Sequence, residues 1–302
     1  MNKKQRYQGF RKFSIKTRLV IALLLISIIP LAGISGYSFH IFSVALREKL
    51  SASISQTLSM INLNMVSEIE KYQYLCGSIC ISEEIKDGLL NKDMSDIEKN
   101  QAINEIQSMI RTKIIYPAQA KNITVYDTDG NIFYDLGYDG FYQDDVDMLL
   151  DRLRQENQDV WAYVHTYRDR DILVLGRRIY EQYSESRVIG YTLISIDEKI
   201  FSKTVLEPVG LADSSNIMYM NMDGSVLSSW DRNIALGKKV DSEFLKNIQQ
   251  KLPSRTDSFS IHKDGEEQLV TYIFNKNLNQ LFVYTCLIII SIPKFIPCFA
   301  ES

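Results

Sequence analysis

Histidine is scarce in this chain: three residues in 302, His40, His165 and His262, widely separated. No Ser, Cys or Asp stands near them at the spacing of a triad or a metal site, so each reads as a structural residue. Paired carboxylates with an associated nucleophile are missing too, which removes a secreted hydrolase from consideration. No glycine-rich loop leads into a helix, and no histidine lies in a kinase-type dimerisation helix, so neither nucleotide binding nor phosphoryl transfer is expected. The four cysteines make no framework: Cys76 and Cys80 stand four apart on a helical stretch, while Cys286 and Cys298 lie near the C-terminus. Zinc spacing is absent, and buried thiols are the reading. The acidic group Asp139, Asp144, Asp145, Asp147 and Asp151 lacks the alternation and closing Glu of a calcium loop, and fits a solvated helix start. No metal and no cofactor is expected. Asn122-Ile123-Thr124 matches a glycosylation acceptor pattern, to which no weight is given.

Charge is missing where it matters most. From Leu19 to Leu46 there is no Asp, Glu, Lys or Arg, enough apolar length to cross a hydrocarbon core of roughly 30 Å at about 1.5 Å per residue. Acid is also absent before that run, where Lys3, Lys4, Arg6, Arg11, Lys12, Lys16 and Arg18 stand alone and mask an overall charge of −3. Excess Lys and Arg remain on the cytoplasmic side, which predicts an inside N-terminus and an extracellular remainder. Anionic lipid headgroups are the nearer partner for such a tail, and nucleic acid is not expected. A cleaved signal peptide is the rival reading. The run is too long for one, and Ala32-Gly33-Ile34-Ser35-Gly36 is a poor cleavage site, so an uncleaved anchor is favoured. Pro30 falls inside the apolar part, where a kink is tolerated.

With no turn signal the chain then continues as an amphipathic helix. Leu50, Ile54, Leu58, Ile61, Met65, Ile69, Tyr72 and Cys76 recur every three or four residues, lining one helical face. That face could meet a twin helix in a homodimer or pack on the chain's own sheet, and the dimer is the expectation. Ser82 and Ser95 read as helix starts, with Pro117 as a stop.

Strands follow. Asn122–Asp135 reads as a hairpin closed at Asp129-Gly130, the dipeptide that accepts the positive φ of a tight turn. Asp144 or Asp145 is expected to cap a helix, and Val160–His165 and Ile172–Tyr180 to form a second hairpin with Val188–Ile196 as third partner. Asp197 caps a short helix at 198–205. The segment Asn216–Ser229 then repeats Asn122–Asp135: Asn-Ile opens both, and Asp-Gly falls at the same offset. A helix at 242–251 and strands at 258–262, 268–274 and from Leu281 complete a second unit of the same order. The fold class is therefore α+β, two similar antiparallel-sheet units in tandem behind a transmembrane helix and a long stalk.

This layout resembles the double Cache extracellular sensor of bacterial receptors, and within it the sensor half of two-component histidine kinases of Gram-positive bacteria. The residues that carry the likeness are Asn122–Asp135, Trp161, Ile189-Gly190-Tyr191 with Ile196-Asp197, and Asn216–Ser229. The resemblance implies a basic cytoplasmic tail at 1–18, a transmembrane helix at 19–40 and a stalk at 41–80. It further implies a membrane-distal PAS-like unit at 81–205, a membrane-proximal one at 206–292, and an irregular tail at 293–302. It departs from the pattern in two places. The sequence ends at Ser302 with Pro293, Lys294 and Pro297 breaking the last apolar run, so a receptor interrupted before its HAMP linker and kinase is the expectation, and no enzyme activity is expected of this chain. An Arg-x-Trp-Tyr cluster is missing after the first hairpin and Ser195 stands where amino-acid-binding members have Asp, so an amino-acid ligand is not implied.

Candidate ligand residues come from the first sheet: Tyr126, Tyr134, Trp161, Tyr163, His165, Arg168 and Arg177. Aromatic faces with a few polar or cationic groups suit a small organic ligand such as a sugar or carboxylate. Because strand residues alternate faces, about half at most can share one pocket, and the rest fill core. Trp230 is read as core of the second unit. Two functions compete: the extracellular sensor of a membrane-anchored receptor, of the histidine kinase or chemoreceptor kind, and an anchored surface protein that binds without signalling.

Overall fold

The computed structural model describes residues 14–91, 94–113, 120–137, 140–168, 170–181, 184–206, 215–231, 233–252, 256–263, 266–276 and 278–287. The first element is helix α1, Ile15–Ile81. The chain divides into two units, 1–54 and 55–302. In the first, Ile15–Leu46 is the one helical stretch among the described residues long and apolar enough to cross a membrane. Leu19, Leu23, Ile26, Ile29 and Ile34 are exposed there, an arrangement suited to lipid rather than water.

In the second unit the remainder of α1 is amphipathic in the way its periodicity predicts. Leu58, Ile61, Met65, Ile69, Tyr72, Leu75, Cys76 and Ile79 are buried within the chain itself. This corrects the use assigned to the stripe: from Leu58 onward it serves the chain's own core and is not a free face for a twin helix. Periodicity reports that a face is covered, not what covers it. Cys76 and Cys80 are buried free thiols, as expected, and burial pushes the Cys76 thiol up. Short helix α2, Glu83–Leu90, is capped by the Ser82 hydroxyl, which accepts from the Ile85 N–H. Helix α3, Asp96–Lys113, opens with Ser95 and Glu98 in a reciprocal box: Glu98 N donates to Ser95 Oγ, and Ser95 N to Glu98 Oε2 at 2.9 Å. The stop assigned to Pro117 lies outside the described residues.

The first sheet holds β1 (Ala120–Asp127), β2 (Ile132–Leu136), β3 (Val160–His165), β4 (Asp171–Glu181) and β5 (Ser184–Asp197) in the order β2-β1-β5-β4-β3, every pairing antiparallel. Helix α4, Gln143–Gln155, precedes β3. Its cap is Tyr142, without a side-chain bond, and not Asp144 or Asp145. Those two acids fall in its first turn, where the unpaired N–H groups favour negative charge. Val146, Leu149, Leu150 and Leu153 of α4 pack on Val160, Ala162, Val164, Val174 and Leu193 of one sheet face. The opposite face buries Leu173, Leu175, Ile194 and Ile196, and Arg177 ties it to α1 by donating from Nη1 to the Gln73 carbonyl at 3.3 Å.

Helix α5, Glu198–Val205, is capped by Asp197 through the Ile200 N–H, as predicted. The second sheet, β6 (Ser215–Asn221), β7 (Val226–Ser229), β8 (Thr256–Lys263), β9 (Glu266–Asn275) and β10 (Gln280–Leu287), has the order β7-β6-β10-β9-β8, the same topology as the first. Helix α6, Ser242–Gln249, precedes β8 as α4 precedes β3. The repeat extends to single hydrogen bonds. Asp127 N donates to Asn131 O at 2.9 Å, and its counterpart Asn221 N to Ser225 O at 3.0 Å. Gly130 and Gly224 take φ of 89° and 85°, the left-handed region a side chain would resist. The last apolar run beyond Leu287, the prolines after it and the Asp264-Gly265 turn lie outside the described residues.

Candidate functional site

In the strand order found here β3 is an outer strand of the first sheet and β7 an outer strand of the second. Along β3, Val160, Ala162 and Val164 point into the α4 core, which turns Trp161 and Tyr163 to the other side. Both line a cavity of about 570 Å³ between the two edges, together with Arg152, Asp159, Asn221 and Gln280. Met148, Met222, Leu227 and Leu278 supply its apolar wall. The Trp161 carbonyl accepts from Asn221 Nδ2 at 3.2 Å and from Arg152 Nη1 at 3.3 Å. Arg152 also donates to Glu156 at 2.9 Å, Gln280 Nε2 to Asn221 Oδ1 at 3.3 Å, and Tyr219 hydroxyl to Gln280 Oε1. A continuous polar chain therefore crosses from one sheet to the other. The Trp161 Nε1–H is buried with no partner among the described residues.

Tyr163 donates to Asp171 Oδ1 at 2.6 Å, and burial together with that carboxylate pushes its phenol up. Its ring lies against Gly237, where φ is 74° and a Cβ would come within 2.6 Å of Tyr163 Cδ1. The glycine is required at that contact. At the lip of the cavity Asp159 receives two bonds from Arg177, Nε to Oδ1 at 2.7 Å and Nη2 to Oδ2 at 2.6 Å. Gln73 of α1 closes the triangle by donating to Asp159 Oδ2 at 3.2 Å. The bonds to Asp159 raise the Arg177 pKa above its ordinary value. A carboxylate that lines the cavity is thus fixed to the long helix.

The other residues singled out in sequence are placed elsewhere. Tyr126 belongs to the α4-side core, where burial, with Asp135 nearby, pushes its phenol up to about 12. Tyr134 is paired with Val125 and buried on the opposite face. His165 ends β3, half exposed, 3.4 Å from Asp171. Arg168 is exposed in the turn that follows, and Arg177 faces α1 rather than the cavity. Trp230 is half-buried beside β7, not core. Asp159, Asn221 and Gln280 were not singled out. Their signal was a polar residue at the end of an apolar strand, Asn221 after Tyr219-Met220 and Gln280 before Leu281-Phe282.

No family model matches the sequence, and no curated protein matches it. Solved structures do match in fold. The extracellular domain of the putative histidine kinase rpHK1S-Z16 gives a TM-score of 0.54 at 14% identity over 79% of this chain and 95% of its own. The sensor domain of the V. cholerae histidine kinase DctB gives 0.53 at 11% identity, covering 80% and 98%. The ligand-binding domain of Mlp24, solved with asparagine, gives 0.51 at 15%, covering 78% and 91%. With two five-stranded antiparallel sheets of one topology behind a long helix, this chain has the tandem Cache fold of histidine kinase extracellular sensor domains.

Proposed function

We propose that residues 55–302 form the extracellular small-molecule sensor of a single-pass membrane receptor of the histidine kinase type, with the N-terminus in the cytoplasm. The observation that carries this reading is the triangle of Asp159, Arg177 and Gln73, which couples a wall of the cavity between the sheets to α1. A ligand that moves Asp159 must strain or release the helix. An anchored binding protein without signalling has no use for that connection. The cavity sets the amides of Asn221 and Gln280 and the guanidinium of Arg152 over an apolar wall, which suits a sugar or a small carboxylate. The lone basic tail supports the orientation, and the parent receptor is read as a kinase by analogy with the neighbours of the same fold.

The test is a panel of sugars and small carboxylates added to the full chain in lipid nanodiscs, read by thermal unfolding and tryptophan fluorescence. A ligand of this cavity stabilises the chain by about 2.7 kcal/mol at a hundredfold excess over its dissociation constant. Trp161→Phe and Asn221→Ala should each weaken it. A stabilising compound indifferent to both changes contradicts the assignment of the cavity. Orientation is tested separately by attaching an impermeant thiol reagent in intact cells to cysteine placed at Asn131 or Lys3. Labelling at Lys3 but not at Asn131 would reverse it.

A further inference from the structure

Around the junction cavity between the two sheets every charge already has a partner. Arg152 is the one cation among the described residues that line it. Its Nε donates to Glu156 Oε1 at 2.9 Å, one turn further along α4, and its Nη1 to the Trp161 carbonyl at 3.3 Å. The lining carboxylates are those of Glu156, Asp159 and Asp223. Arg177 holds Asp159 at 2.6 Å and Lys239 holds Asp223 at 3.0 Å, so each acid meets a cation of its own.

That balance separates ligand classes. A carboxylate entering the cavity finds no free cation and must share Arg152 with Glu156; a charge taken from water without its own counter-ion costs more than ordinary hydrogen bonds return. An ammonium fares no better, since each lining carboxylate is already held. A hydroxyl carries no such cost, because it is neutral and both donates and accepts. The paired groups keep capacity for it. Among the described residues Arg152 Nη2 and Glu156 Oε2 make no bond, one a donor and the other an acceptor, and Asn221 gives the Trp161 carbonyl one of its two amide hydrogens. The backbone adds an independent observation. Asn279, in the turn between β9 and β10, has a φ of 53° and is the only non-glycine residue in the left-handed region among the described residues. It lines the cavity with its neighbours Leu278 and Gln280. Asn tolerates that conformation at some cost, which glycine would avoid, and such outliers gather where a ligand is held. Asn in place of Gly keeps an exposed amide at the rim.

We infer that the junction cavity takes a neutral sugar and discriminates against its acidic and amino relatives. The inference rests on the sensor reading of this same cavity and narrows it. Hydroxyls add to Arg152, Glu156, Asn221 and Asn279, and the apolar side of the sugar ring lies over Met148 and Leu227.

The full chain in nanodiscs of zwitterionic lipid is titrated calorimetrically with glucose, galactose and mannose, and with the uronate and the 2-amino sugar of each. At least one neutral sugar should bind, about tenfold or more tighter than its uronate and its amino relative. Glu156→Gln frees the Arg152 guanidinium and should improve the uronate relative to the neutral sugar by about tenfold. Asn279→Gly relieves the backbone and removes the amide, so it should weaken the neutral sugar several-fold without lowering the unfolding temperature. A uronate or amino sugar that binds tighter than its neutral parent and is lost in Asn221→Ala would overturn the inference while leaving the cavity as the sensing site. A neutral sugar indifferent to both Asn221→Ala and Asn279→Gly would overturn the cavity assignment itself. An unchanged ratio in Glu156→Gln, or no binding by any of these compounds at millimolar concentration, would also overturn the inference.

Discussion

Replacing Arg177 is the sharpest probe of the connection between cavity and helix. The guanidinium gives two short bonds to Asp159 and one to the Gln73 carbonyl, and the pair is only 28% and 19% exposed. A charge-assisted bond is worth about 1.5–3 kcal/mol where water is excluded, and partial exposure lowers the sum. Arg177→Met keeps the stem and its packing and should cost about 3 kcal/mol, part of it from leaving Asp159 without its cation. Asp159→Asn should cost about 2 kcal/mol. If the two act together, the double variant costs less than the sum, with a coupling energy of about 2 kcal/mol. Lys251 and Asp257, 3.5 Å apart and 42% and 39% exposed, are an internal control. Lys251→Ala should change stability by less than about 0.5 kcal/mol, as open ion pairs do. The assay is urea unfolding of the full chain in detergent, followed by the fluorescence of its two tryptophans, Trp161 and Trp230. A coupling energy below about 0.5 kcal/mol would put Arg177 and Asp159 in the class of the control and refute the mechanical reading.

Three further outcomes follow from the packing. At Gly190 a Cβ would sit 2.5 Å from the Tyr126 carbonyl oxygen, and at Gly176 it would meet only leucine methyls at 2.9 and 3.0 Å. Gly190→Ala should therefore cost about 3 kcal/mol or more and Gly176→Ala clearly less, measured by the same unfolding assay. Met65 is fully buried and Met60 is 61% exposed on the same helix. Met65→Glu should abolish the cooperative transition and Met60→Glu leave it intact, a Met65→Glu chain that still unfolds cooperatively being expected only if the Met65 face met another chain. Asp127 and Asp223 are raised by burial but lowered further by bonds from Asn131 and from Ser225 with Lys239, so both stand below their ordinary 3.8. A depressed folded pKa gives stability that is present above that ordinary value and lost as pH falls through the folded one. Thermal scans should show the two Asp-Gly hairpins insensitive from neutral pH down to about 4 and weakened below it, and Asp127→Asn plus Asp223→Asn should flatten that acid limb.

Local chemistry made much of this fold legible. Asp197 announces α5 because its carboxylate meets the Ile200 N–H, and the Asp-Gly pairs announce their hairpins because their glycines take positive φ. Where two acids competed with the backbone at 144–145, cap preference alone was misleading: the helix begins earlier and keeps the acids in its first turn. The site was less legible because it depends on strand order. Alternation separates Trp161 and Tyr163 from Val160 and Ala162, yet only the order β2-β1-β5-β4-β3 makes β3 an edge that meets the second sheet. The same order places β4 inside, which sends Arg177 to α1.

The measurement that bears most directly on the sensor claim is hydrogen–deuterium exchange of the full chain in nanodiscs, with and without a ligand found in the sugar and carboxylate panel. If the junction cavity is the sensing site and Asp159 transmits its occupancy, protection should change together at 158–163 and at 70–77 of α1. Variant Arg177→Met should keep the change at 158–163 and lose it at 70–77. A ligand that protects 158–163 while leaving α1 unchanged in the native chain would contradict the account.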